Sequence, residues 1–103
     1  VTWLGPAIGP CHFEVGEEVK SIFSESDCFK AISYDLEQCF SCARDPNKHF
    51  LDLYQAAKVI LNSMGVSEVY GGDECTYCLK EKYFSFRRDG ETGRMVSSIF
   101  IEP

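Results

Sequence analysis

The sequence predicts an α+β protein, in mixed α/β layers, with a mixed sheet and helices packed outside it. Three observations carry this. Two segments repeat apolar residues at helical spacing, several short segments are apolar in the manner of strands, and Gly/Pro turns separate them. The 103 residues are 45% apolar and 25% charged, which suits one folded domain with a modest core.

The elements follow in order. Residues 2–9, Thr-Trp-Leu-Gly-Pro-Ala-Ile-Gly, read as a short strand ending in a Gly/Pro turn, and so much glycine suggests close approach of another backbone. Residues 14–25 read as a helix. Val15, Val19, Ile22 and Phe23 form its stripe, and Glu14, Glu17 and Glu18 crowd its first turn, where negative charge suits the dipole. Residues 29–36 alternate partly and read as a doubtful strand, and 37–45 as a loop or short helical turn. The strongest pattern spans 48–64. Phe50, Leu53, Tyr54, Ala57, Ile60, Leu61 and Met64 make one helical face, with Asn47 as N-cap, Gly65 at C′, and Asp52 serving the dipole. Residues 66–70 read as a short strand ended by Gly71-Gly72-Asp73. Residues 83–87 read as a strand, 88–93 as a turn, and 94–101 as a strand buried on both faces.

Charge excludes some functions. Ten basic residues stand against sixteen acidic ones, a formal net charge of −6. Non-specific nucleic-acid binding needs a basic footprint, so no nucleic acid is expected. No apolar run reaches the roughly 20 residues that span a bilayer, so no membrane partner is expected. The charge is uneven. Residues 1–78 carry five basic and twelve acidic side chains, and residues 79–103 carry five and four. The cations concentrate around Arg87, Arg88 and Arg94. The start at Val1, without a signal-peptide pattern, leads to the expectation of a piece of something longer.

Six cysteines stand at 11, 28, 39, 42, 75 and 78. An even count in a short chain invites disulfides and an oxidising compartment. Cys39-Phe-Ser-Cys42 and Cys75-Thr-Tyr-Cys78 are both C-x-x-C pairs, which together could hold zinc in a small zinc-stabilised interaction module. Against this, 32 residues with a full helical pattern separate the pairs, and neither contains the Gly or Pro of a tight zinc knuckle. A redox C-x-x-C would open a helix after a strand, and neither pair does. Reduced thiols packed as small hydrophobes are the remaining reading. His12 follows Cys11 in a turn and His49 stands in a predicted first helical turn. Neither is assigned as a metal ligand. The segment Phe84-Ser-Phe-Arg-Arg-Asp-Gly-Glu-Thr-Gly-Arg94 sets three guanidiniums close together, suited to bidentate binding of carboxylate or phosphate, or to pairing with Asp89 and Glu91.

Several strings occur together: Leu4-Gly-Pro-Ala-Ile-Gly-Pro, Phe13-Glu-Val-Gly-Glu-Glu-Val19, Leu51-Asp-Leu53, Gly65-Val66, Cys75-Thr76-Tyr77, Tyr83-Phe-Ser-Phe-Arg-Arg-Asp-Gly90 and Thr92-Gly-Arg94. In this order they resemble the C-terminal part of the multicopper polyphenol oxidase (laccase) family, which includes the peptidoglycan editing factor and related purine nucleoside phosphorylases. The resemblance covers essentially the whole chain. It implies that residues 1–103 are the C-terminal portion of a single α-β-β-α type sandwich domain whose N-terminal half is absent. It also implies a cytoplasmic enzyme that cleaves purine nucleosides with phosphate and deaminates adenosine at a His, Cys, His centre holding zinc or copper. Copper-dependent polyphenol oxidation is the alternative the family name offers. Those ligands lie in Asp-Cys-x-Pro and His-Ala-Gly-Trp-Arg-Gly segments that this chain lacks. The catalytic residues are therefore unknown, no metal is expected on this chain alone, and the fragment is expected to be inactive. Arg87, Arg88 and Arg94 become candidates for the wall of a substrate or phosphate pocket. The expected partners are purine nucleoside, phosphate and the missing N-terminal half, with self-association through exposed sheet edges.

Overall fold

A computed structural model describes residues 1–102, and the side chains of all of these except Asp27, Cys28 and Phe29. It is an α+β architecture with a two-stranded parallel sheet, a three-stranded antiparallel sheet and short helices. In chain order the elements are β1 (Thr2–Leu4), β2 (Glu14–Gly16), α1 (Glu17–Glu25), a 3-10 helix (Asp27–Ile32) and α2 (Ser33–Glu37). They continue with β3 (Phe40–Cys42), β4 (Lys48–Leu51), α3 (Leu53–Ser63), β5 (Val69–Gly71) and α4 (Phe86–Asp89). No helix among the described residues is long and apolar enough to cross a membrane.

The core lies between the antiparallel sheet, ordered β2-β4-β3, and the helices. Val15, Leu36, Cys39, Leu51 and Ala56 are buried there, with Phe13, Val19, Phe23, Ile32, Phe40, Leu53, Val59 and Ile60 packed around them. Each buried aliphatic side chain contributes about 1.5–3 kcal/mol relative to exposure, so this small cluster is the main driving force of the visible fold. The register Glu14↔Phe50, Val15↔His49 and Gly16↔Lys48 puts β4 centrally. Phe40↔Leu51 and Cys42↔His49 add β3 on its other edge.

The helix predicted over 14–25 is divided: β2 takes 14–16 and α1 begins at Glu17. Val19 and Phe23 pack on the core as expected, but Ile22 is exposed. The helix predicted over 48–64 is likewise divided. Residues 48–51 pair on both sides as β4, so cross-strand partners override local periodicity there. The helix proper starts at Leu53, and its N-cap is Asp52 rather than Asn47: the Asp52 carboxylate accepts the Gln55 N–H at 3.1 Å. Gly65 follows the C-cap at φ +87°, the expected C′ conformation. The doubtful strand over 29–36 is helical, and part of the expected loop over 37–45 is β3.

The C-terminal strands are corrected more deeply. Residues 86–89 form one helical turn, α4, capped by the Ser85 hydroxyl. Residues 94–101 form no strand and are not buried. Ile99 is 96%, Phe100 80% and Ile101 94% exposed. An extended segment needs a neighbouring strand to take up its backbone groups, and none reaches these residues within the described chain.

Strand β1 runs parallel to β5 through Thr2↔Val69, Trp3↔Tyr70 and Leu4↔Gly71. An isolated bridge, Ala7↔Cys75, continues the parallel course. Gly71, at φ +85°, sits where an added Cβ would meet the Leu4 carbonyl at 2.4 Å, so only glycine fits this approach. Tyr54 locks α3 beneath the pair. Its hydroxyl accepts the Ala7 N–H at 2.7 Å and donates to the Glu74 carbonyl at 2.5 Å.

Candidate functional site

The parallel course of β1 and β5 carries two turns to the same place. The first, residues 9–12, closes through Gly9, whose carbonyl accepts the N–H groups of His12 (3.2 Å) and Phe13 (3.1 Å). The second, residues 75–78, is fixed by Thr76 N–H on the Ala7 carbonyl and Leu79 N–H on the Cys75 carbonyl, both 3.0 Å. Between them lie Cys11, His12, Cys75 and Cys78, whose ligand atoms all fall within 4.8 Å of one another. Cys11 Sγ is 3.5 Å from Cys78 Sγ and 3.8 Å from Cys75 Sγ. His12 Nδ1 is 3.2 Å from Cys11 Sγ and 3.3 Å from Cys78 Sγ. The imidazole stacks on the Tyr77 ring at 4.0 Å between centroids.

The close approach that the glycine-rich first segment suggests is found at Gly9. A Cβ there would lie 3.1 Å from Cys75 Cβ. Without one, the Gly9 N–H reaches Cys75 Sγ at 3.1 Å. Burial opposes ionisation of Cys75, but the backbone N–H groups of Gly9, Cys78 and Tyr77 outweigh it and bring its pKa down to about 6. At Cys11, burial and the neighbouring Cys78 and Cys75 sulfurs push the pKa up to about 11. The cluster thus favours one thiolate, at Cys75, in the absence of a cation.

A zinc site built from both C-x-x-C pairs, the alternative the spacing argues against, would join Cys75 and Cys78 to Cys39 and Cys42. The structure instead joins them to Cys11 and His12. Cys39 is buried in the core and its thiol faces the Asp35 carbonyl at 3.6 Å, while burial, Asp52 and Asp35 raise its pKa. Cys42 is an exposed free thiol. Cys11, Cys39, Cys42, Cys75 and Cys78 are all unbridged, and the Cys28 thiol lies outside the described residues. His49 sits apart from the cluster, its Nε2 against the Glu17 carboxylate, which holds that carboxyl below its usual range. The signal that points to the cluster was present in Cys11-His12 and Cys75-x-x-Cys78. Only the β1/β5 register, a tertiary fact, shows that they meet.

The three arginines divide. Arg88 is fully engaged. Its Nη1 donates to the carbonyls of Thr76 (2.9 Å) and Tyr77 (3.0 Å), its Nη2 to that of Tyr83 (3.0 Å), and its Nε and Nη2 to Asp89. It therefore clamps the 75–78 turn onto α4. The ion pair lowers the Asp89 pKa and raises that of Arg88. Arg87 donates to the Glu14 carbonyl at 2.8 Å and lies over the Phe13 ring at 5.1 Å. It lines a hollow of about 400 Å³ shared with Cys11, His12, Lys48 and Tyr77. Arg94 lines a different hollow, of about 800 Å³, with Phe84, Phe86 and residues 90–93 and 95.

The match to known proteins completes this geometry. Residues 1–102 match the family described as multi-copper polyphenol oxidoreductase laccase, and the chain belongs to that family. Among its relatives is Escherichia coli "Purine nucleoside phosphorylase YfiH", 42% identical over 101 residues, which cover 98% of this chain and 38% of that protein. The Haemophilus influenzae "Purine nucleoside phosphorylase" is 41% identical over 102 residues, covering 99% of this chain and 40% of that one. The crystal structure of Neisseria meningitidis protein NMB0706 superimposes with a TM-score of 0.73 at 38% identity, over 85% of this chain and 34% of that one. The chain thus spans about 40% of the length of these curated relatives.

The family description speaks of copper. Among the described residues one donor set assembles, three thiols and one imidazole, with His49 outside it. This soft set fits a single thiophilic cation and lacks the several imidazoles that a multi-copper centre requires.

Proposed function

We propose that this chain forms the C-terminal portion of a single-domain cytoplasmic enzyme that cleaves purine nucleosides by phosphorolysis and also deaminates adenosine. The observation that carries the reading is 42% identity, over nearly the whole chain, to a protein named as a purine nucleoside phosphorylase. In phosphorolysis a phosphate oxygen bonds to the anomeric carbon while the glycosidic bond breaks and the departing purine takes up a proton. Positive groups that hold phosphate at that carbon stabilise the developing charge.

Within this chain, Arg94 and Arg87 supply such charge at the pocket wall. Arg94 makes no hydrogen bond or ion pair among the described residues, and Arg87 keeps donors beyond the one that Glu14 accepts. Arg88, with all its N–H groups engaged internally, braces the wall. Zinc or copper at a His, Cys, His centre in the remainder of the protein completes the site, so the 103-residue chain alone is inactive.

The test is to assay the longer protein, and the 103-residue chain, with inosine and adenosine, with and without phosphate, following free base, ribose 1-phosphate and inosine. Phosphate-dependent release of base by the longer protein only is expected, with Arg94→Ala raising the phosphate KM. Absence of phosphate-dependent cleavage in the longer protein overturns the reading. Turnover by the chain alone overturns its predicted inactivity.

A further inference from the structure

We propose that Cys11, His12, Cys75 and Cys78 bind one zinc ion, as a closed structural site that fastens the 9–12 turn to the 75–78 turn. The geometry is close to what zinc requires. Bonds of about 2.3 Å to sulfur and about 2.05 Å to nitrogen give tetrahedral edges of about 3.75 Å between sulfurs and about 3.55 Å between sulfur and nitrogen. The observed sulfur separations are 3.5 and 3.8 Å, and the observed sulfur–nitrogen separations are 3.2 and 3.3 Å. Shifts of about 0.4 Å or less bring these four edges to their ideal lengths, and the remaining two edges lie within 4.8 Å.

The surroundings are also those of a zinc site. Zinc thiolates are stabilised by N–H groups aimed at sulfur, and ligating rings by contacts that fix their plane. Cys75 Sγ accepts the Gly9 N–H at 3.1 Å. Tyr77 stacks on the His12 ring, leaving Nδ1 turned to the sulfurs. Arg88 holds the carbonyls of Thr76 and Tyr77 inside the C-x-x-C turn, which fixes the turn where Gly or Pro is lacking. Three thiolates and a divalent cation leave one net negative charge, and Arg87 and Lys48 line the adjoining hollow.

Four protein ligands leave no open position for water or substrate, so the site stabilises rather than catalyses. The proposal does not depend on the phosphorolysis reading. A disulfide is the competing use of these thiols. It would require a separation of about 2.05 Å and would leave the third thiol and the imidazole without a role.

The experiment uses the longest natural form of the protein, purified under reducing conditions from zinc-supplemented medium. Metal is counted by plasma mass spectrometry in the wild type, Cys11→Ser, Cys78→Ser and, as control, Cys42→Ser. Because a second metal centre would add to every total, the reading is the difference between variants. The expected result is a loss of about one zinc per chain in Cys11→Ser and Cys78→Ser, and none in Cys42→Ser. Alkylation of the unmutated protein, mapped by peptide mass, gives a reading that needs no variant. Cys11, Cys75 and Cys78 are expected to be protected until a chelator is added, while Cys42 reacts throughout. Equal zinc in all four proteins, copper or iron at the site, reaction of the three thiols without chelator, or a Cys11–Cys78 disulfide in the reduced preparation each overturns the proposal.

Discussion

Arg88 shows how one side chain can link a charge cluster to backbone architecture. Its guanidinium holds three carbonyls and the Asp89 carboxylate at once. The ion pair keeps the Asp89 carboxyl below its usual 3.8, so its share of stability is present above pH 3.8 and is lost as pH falls through the folded-state value. Arg88→Ala is expected to move the Asp89 titration, followed by carboxyl carbon NMR, up toward 3.8, and to lower the melting temperature by leaving the carbonyls of Thr76, Tyr77 and Tyr83 without their donor. An unchanged Asp89 titration would refute the pairing. Tyr54 acts by the same logic without charge. Tyr54→Phe removes the acceptor for Ala7 N–H and the donor to the Glu74 carbonyl, and denaturant titration should show a loss of about 1–3 kcal/mol.

At the scale of elements, the start of α3 can be tested through its cap. Asp52→Ala removes its N-cap and is expected to cost about 0.5–2 kcal/mol in denaturant unfolding, whereas Asn47→Ala, which leaves that cap intact, should cost less. Leu36, the most deeply buried large side chain, joins α2 to the core, and Leu36→Ala should cost about 2–5 kcal/mol. These elements were unequally legible in the sequence. The body of α3 and Gly65 could be read because helical spacing and a left-handed end are local properties. Residues 48–51 also carry apolar side chains at helical spacing, and there two flanking strands decide the outcome. Residues 29–36 failed in the opposite sense, since partial alternation over a few residues also fits a short helix on a core.

At the scale of the molecule, the structure divides into a cored half and an open half. The antiparallel sheet and helices enclose the buried cluster, whereas the parallel pair has only two strands, with Trp3 and Tyr70 exposed. Val96, Ile99, Phe100 and Ile101 are exposed as well. Unpaired edges and exposed apolar segments seek partners. Light scattering of the 103-residue chain at rising concentration should therefore show association, reduced when Ile99, Phe100 and Ile101 are replaced by Ser. A strictly monomeric chain would contradict this. The fold class and the family could be read from motifs. The four-residue cluster could not, because its halves lie more than sixty positions apart and only the parallel register aligns Ala7 with Cys75.

That separation has a consequence for how the protein is made. Cys11 and Cys78 are 67 positions apart. At about 5–20 residues per second of synthesis, Cys11 is translated roughly 3–13 seconds before Cys78. During that interval its thiol has neither of its later sulfur neighbours. The Cys11 thiol is thus made well before its counterpart, and reducing surroundings during translation keep it free of other disulfides until then.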